Sequence, residues 1–147
     1  MIYFNSELKS FKLANKQKIK NGLKLIAEKE GKKIDELNYI FVDDNALLEI
    51  NKQFLAHETF TDIISFDNND NNDDDDEYIE GDIFISVDRV KENAVDFEVE
   101  FQQEIFRVIS HGLLHLCGYG DKSEGEKTIM RQKEDAAIEI LRSQLTH

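Results

Sequence analysis

The chain has 147 residues, 40% of them hydrophobic, and a formal net charge of −13 at pH 7. That is enough chain for one domain with a real core, too apolar for disorder and too acidic for a generic nucleic-acid binder. No apolar run reaches membrane-span length, the N-terminus lacks a signal peptide's charged-then-apolar order, and the single cysteine, Cys117, excludes an intrachain disulfide, so a cytoplasmic protein without a membrane partner is expected.

The charge is unevenly spread. Residues 1–33 hold nine basic residues and three acids, a net of +6, whereas the remaining 114 carry nine and 28, a net of −19. Ile2-Tyr3-Phe4 reads as a first strand. Asn15 is placed to cap a helix over about 16–30, with Ile19, Leu23 and Ile26 as its core stripe and Gly31 as its stop. Lys16, Lys20 and Lys24 run beside that stripe. They are candidate phosphate contacts, unless they simply face water. Leu37 to Val42 reads as a second strand. Asp43-Asp44-Asn45 opens a helix through about Leu55, with Leu47, Ile50 and Phe54 facing inward.

Thr61 to Phe66 reads as a third strand and Tyr78 to Ser86 as a fourth, hairpin-paired with it. Between them, residues 67–77 hold seven acids and four amides, which bury nothing and read as a solvated connection. An EF-hand register fails there, because no Gly occupies the sharp-turn position. Ser86 is placed to cap a short helix, 87–96. A longer helix is expected from about Glu98 to Cys117, with core positions at Phe101, Ile105, Val108 or Ile109, and Gly112 or Leu113. Gly112 is read as a place where another backbone packs closely. Ser123-x-x-Glu126 is a capping box that opens a last helix over about 124–143, with Ile129, Met130, Ala137, Ile140 and Leu141 buried. The order is βαβαββααα: one α+β domain over residues 1–147, a four-stranded mixed sheet packed with about five helices.

The chemistry concentrates between Val108 and Asp121. His111 and His115 lie four residues apart, which puts both imidazoles on one helix face, about 6 Å apart along the axis. Two neutral imidazoles so placed bind one metal ion. Gly118 ends the helix in a left-handed turn, and Asp121 returns as a third ligand. Three ligands leave a fourth position for water, which separates a catalytic zinc from a structural one. Two histidines at this spacing also serve as plain packing residues, but only four occur in the chain. Cys117 reads as a small residue in the last helical turn rather than a ligand or a redox thiol.

The spacing His-x3-His-x2-Gly-x2-Asp resembles the zinc-binding run of metzincin proteases. Those carry Glu after the first His, where this chain has Gly112, so a peptidase reading loses its base. The run His111-Gly112-x-Leu114-His115-Leu116-x-Gly118-Tyr119 instead resembles the signature of the YbeY family, bacterial endoribonucleases that mature ribosomal RNA. Thr61-Asp62-Ile63-Ile64-Ser65-Phe66 and Gly81-Asp82-Ile83 also resemble family motifs, and Met130 matches a family methionine. Asp121 stands where the family has a third His, Phe60 where it has Pro, and Phe54-Leu55 where it has Tyr-Arg, with His57 as a nearby stand-in for the missing charge.

The resemblance implies a zincin-like site on a helix, with one zinc ion held by His111, His115 and Asp121. The implied activity is single-strand-specific endoribonuclease cleavage, in 16S ribosomal RNA 3′-end maturation and ribosome quality control. The implied partners are ribosomal RNA and the small ribosomal subunit, with ribosomal proteins as further contacts for the acidic body. Asp82 and Glu134 are the candidate general bases. Two alternatives stay open: a non-catalytic ribosome-assembly factor with a structural zinc, and a metalloprotease.

Overall fold

In the computed structural model, which describes residues 1–55, 61–68 and 77–146, the elements follow the expected order. They are β1 (Ile2–Ser6), α1 (Lys16–Lys29), β2 (Lys33–Val42), α2 (Asp44–Leu55), β3 (Ile63–Asp67), β4 (Tyr78–Ser86), α3 (Val87–Asp96), α4 (Phe101–Leu116) and α5 (Glu124–Leu145). His57, Phe60, the Leu55 side chain and residues 69–76 of the acidic run lie outside the described residues.

The strands form one sheet in the order β1-β2-β4-β3 among the described residues. β1 runs parallel to β2 and β2 to β4, while β3 is antiparallel to β4. The sheet is therefore mixed, and β3–β4 is the expected hairpin pair. Strand alternation sorts side chains between two faces. Leu37, Tyr39 and Phe41 of β2 and Ile79, Ile83 and Ile85 of β4 join the main core with α1, α4 and α5. Val42 and Ile64 join Leu47 of α2 in a smaller cluster, with Ile40, Phe66 and Phe84 packed against it. Each fully buried aliphatic side chain contributes about 1.5–3 kcal/mol. Tyr39, buried among apolar neighbours, donates its hydroxyl to the Ile109 carbonyl of α4 at 2.9 Å, which ties strand to helix.

α4 crosses this sheet at Gly112. A Cβ there would stand 2.9 Å from Ile83 Cδ1 and 3.0 Å from Ile63 Cδ1. The close approach that requires glycine is thus to strand side chains, not to another backbone as the sequence led us to expect. It also leaves no room for the metzincin glutamate.

Other expectations need correction. Asn15 precedes α1 but is itself left-handed (φ 59°, ψ 38°), and its side chain makes no capping bond. α4 begins at Phe101 rather than Glu98, because Glu98 has φ 55°, outside the helical region. Phe54 is 64% exposed and Ile129 46% exposed, so neither is a core residue. Phe54 instead meets the ring of Phe66 edge-on at 5.8 Å. The other caps stand as expected. Ser86 accepts from the Arg89 amide, and Ser123 with Glu126 forms a complete capping box.

Candidate metal centre

The end of α4 builds the site. Cys117 caps the helix and Gly118 follows with φ 109°. The Gly118 amide donates to the His115 carbonyl and the Tyr119 amide to Leu114, at 3.0 and 3.1 Å, a Schellman turn. This reverses the chain so that Asp121 faces the two histidines. His111 Nε2 lies 3.3 Å and His115 Nε2 3.2 Å from the same oxygen, Asp121 Oδ2. Ligand atoms of all three residues lie within 4.8 Å of one another. Tetrahedral zinc with bonds of about 2.0–2.1 Å needs ligand atoms about 3.3–3.4 Å apart. The donor set and its spacing therefore fit a metal ion, with three protein ligands.

Each imidazole is oriented from behind. Nδ1 of His111 donates to Glu134 Oε2 of α5 at 2.6 Å, and Nδ1 of His115 donates to the Tyr119 carbonyl at 2.9 Å. Both rings thus present Nε2 to the ligand cluster, the arrangement in which outer partners set tautomer and basicity. Glu134 is buried and also accepts from Arg107 at 2.9 Å. Burial opposes its charge, but the bonds from His111 and Arg107 outweigh burial and hold its carboxyl below the ordinary value. Burial likewise opposes a charged His111, yet the Glu134 bond, with Asp121 and Asp62 nearby, raises its pKa.

The Tyr119 segment is itself anchored. Its hydroxyl donates to Glu30 Oε2 at 2.5 Å, and Lys133 of α5 donates to Glu30 Oε1 at 2.9 Å. α1, α5 and the ligand-bearing turn meet at this triad. Cys117 is half-buried and outside the ligand cluster, and burial with Glu30 nearby pushes its thiol up to about 12.

A cleft of about 270 Å³ opens beside the ligands. Asp62, Asn93, Phe97, Glu104, Arg107, His111, Asp121, Arg131 and Glu134 line it. Burial raises the pKa of Asp62 and of Glu104. Sequence reasoning missed Asp62, Arg107 and Glu104 as site residues. Arg107 stands one helical turn before His111 on the same face, a signal that was available.

Of the two candidate bases, the structure brings only Glu134 to the site, and there it orients His111. Asp82 points to the opposite sheet face, because Gly81 and Ile83 on either side of it face α4. Its carboxylate accepts from Asn38 at 2.9 Å and Asn68 at 3.0 Å, a structural role between strands. Lys16, Lys20 and Lys24 do not line the cleft. The end of α1 nearest the site is Glu30, and Lys16 precedes it by about 21 Å of helix.

Fold and site together define a class: a small α+β protein whose helix end carries a His–His–Asp cluster spaced to fit a metal ion. The particular family follows from known proteins. A family model described as endoribonuclease YbeY matches residues 2–142. Endoribonuclease YbeY of Flavobacterium psychrophilum is 46% identical over 140 residues, covering 95% of this chain and 96% of the relative. That of Flavobacterium johnsoniae is 49% identical over 138 residues, covering 94% and 95%. The solution structure of TM1509 from Thermotoga maritima superposes with a TM-score of 0.69 at 27% identity, covering 99% of this chain and 92% of that one. The chain belongs to the YbeY family.

Proposed function

We propose that this protein is a zinc-dependent, single-strand-specific endoribonuclease that acts in the cytoplasm in ribosomal RNA processing. Maturation of the 16S 3′ end and ribosome quality control are its expected settings. Its partners are ribosomal RNA, the small ribosomal subunit and basic ribosomal proteins. The observation that carries the reading is the convergence of two imidazole nitrogens on Asp121 Oδ2, at 3.3 and 3.2 Å, beside an open cleft that holds two arginines. Family membership supports the substrate class.

His111, His115 and Asp121 would hold the ion. Bound there, zinc supplies an activated water and stabilises charge on phosphoryl oxygens. The chain's own residues do the rest. Glu134 and the Tyr119 carbonyl fix the ring orientations. Arg131, on the cleft wall, is placed to draw in a phosphate. Arg107 holds Glu134 rather than substrate. Asp62 also lines the cleft, where burial raises its pKa and its carboxyl accepts from Asn93 at 3.3 Å. Lys16, Lys20 and Lys24 would contact phosphates remote from the cut.

The test compares cleavage of single-stranded RNA by wild type and His115→Ala, purified identically, with metal content and folding measured on both. Cleavage by wild type alone supports the reading. Equal cleavage by both assigns the activity to a contaminant and sinks it. No cleavage by either, with RNA binding retained, leaves a ribosome-assembly factor as the function. Chelator-sensitive proteolysis would be needed to revive the peptidase reading, which lacks a base at Gly112.

A further inference from the structure

The α3–α4 turn carries an exposed aromatic ring that the fold itself does not use. Phe97 is 58% exposed and lines the same cleft as His111 and Asp121. Among the exposed large apolar side chains of the described residues, Phe97 is the one that lines this cleft, where its ring face is free to meet a ligand. Its position is held firmly. The Phe97 amide donates to the Asn93 carbonyl at 2.9 Å, Glu98 to Val95 at 3.2 Å and Val99 to Ala94 at 3.0 Å. Glu98 adopts φ 55° as the left-handed residue of the Schellman turn that ends α3. The ring is thus presented on a fixed turn, so little ordering is needed when something stacks on it.

Carboxyl acceptors share the cleft with the ring. Glu104 is 2% exposed and lines the cleft; its Oε1 makes no hydrogen bond but pairs with Arg107 Nε at 3.7 Å. Asp62 adds a second carboxylate on the cleft wall. Ile63, half-buried, supplies an apolar surface in the same cleft. A flat heterocycle whose edge carries N–H donors would be accepted. The cleft, at about 270 Å³, falls just below the range of about 300–1,000 Å³ typical of drug-sized ligands, so it admits one nucleotide and no duplex.

We propose that this cleft holds a nucleobase subsite, in which one unpaired base of the RNA stacks on Phe97 and turns its donor edge toward Asp62. The inference rests on the endoribonuclease reading and adds to it a physical cause for single-strand preference: a base can enter only when it is out of a helix. The backbone of the same nucleotide then lies between Arg131 and the metal ligands.

The test measures binding of a short single-stranded RNA to the full chain by fluorescence anisotropy, with wild type, Phe97→Ala, Phe97→Tyr and Phe97→Leu. Phe97 is exposed, so these substitutions leave the fold intact, and thermal melting checks that they do. Loss of one stacked base weakens binding by about tenfold, within the range for single bases on aromatic platforms. The expected result is that loss for Phe97→Ala, most of it for Phe97→Leu, and near-normal binding for Phe97→Tyr. An abasic nucleotide at the stacked position should remove the difference between wild type and Phe97→Ala. Equal binding by wild type and Phe97→Ala overturns the subsite while leaving the nuclease reading in place. Equal weakening by Leu and Tyr also overturns it, since stacking would then not be the cause. A wild type that binds no single strand at all fails the parent reading first, and the subsite with it.

Discussion

Replacing Glu134 by Gln tests the chain Arg107–Glu134–His111. Glu134 accepts from His111 Nδ1 at 2.6 Å through Oε2 and from Arg107 at 2.9 Å through Oε1. Glutamine is nearly isosteric, but it has only one acceptor oxygen. If that oxygen faces His111, the amide NH₂ faces the Arg107 guanidinium, donor against donor. If it faces Arg107, the imidazole loses its acceptor and its tautomer is no longer set. Either way His111 becomes a poorer ligand. Loss of such an outer partner lowers metal affinity by about 10–100-fold, equivalent to about 1.4–2.7 kcal/mol. Breaking a fully buried ion pair costs about 3–5 kcal/mol of stability. Here the cost should be smaller, about 1–3 kcal/mol, because Arg107 keeps Asp135 at 3.3 Å. The assay is zinc titration against a chromophoric chelator at neutral pH, with thermal melting alongside. Asp135→Asn is the control: it touches the same arginine but is exposed and does not reach His111. Wild-type zinc affinity in Glu134→Gln would refute the reasoning, and equal losses in both variants would show a general charge effect instead.

Glu30→Gln tests the triad behind Tyr119 through pH. Burial opposes the Glu30 charge, but the Tyr119 and Lys133 bonds outweigh it and hold the carboxyl below its ordinary 4.5. A depressed carboxyl stabilises the fold above its unfolded value and loses that contribution as pH falls through its folded value. Melting curves of wild type and Glu30→Gln should therefore be furthest apart above pH 4.5 and converge below it; a gap independent of pH would show that the charge is not what matters. Charge reversal at Lys16, Lys20 and Lys24 should weaken binding of single-stranded RNA and flatten its dependence on salt. The slope of log affinity against log salt should fall by about 0.7 per lost phosphate contact, about 2 in all. An unchanged slope removes these lysines from the interface.

Much of this protein is legible along the chain because the relevant signals are local. Helical spacing puts Ile19, Leu23 and Ile26 on one buried face and His111 and His115 on another. Gly118 ends α4 in the left-handed turn that a glycine after an apolar run announces. The capping box at Ser123 depends on residues three apart. Asp121 falls within the same short segment, so the turn alone brings it back to the histidines.

What the sequence could not decide depends on contacts between distant segments. Alternation says that Asp82 faces away from Ile83, but only the packing of α4 at Gly112 decides which sheet face looks toward the metal ligands. Glu134 is a carboxylate like any other until the antiparallel packing of α4 and α5 sets it against His111 and Arg107. Asp62, in a strand-like motif, enters the cleft because β3 lies at the sheet edge beside α4. Phe97, at the C-cap of α3, stands exposed on the turn between two helices, which only the packed fold shows. The convergence of His111, His115 and Asp121 was thus written in short-range spacing. The groups that orient these side chains, shape the cleft and set its charges were not, because burial and pairing are properties of the assembled fold.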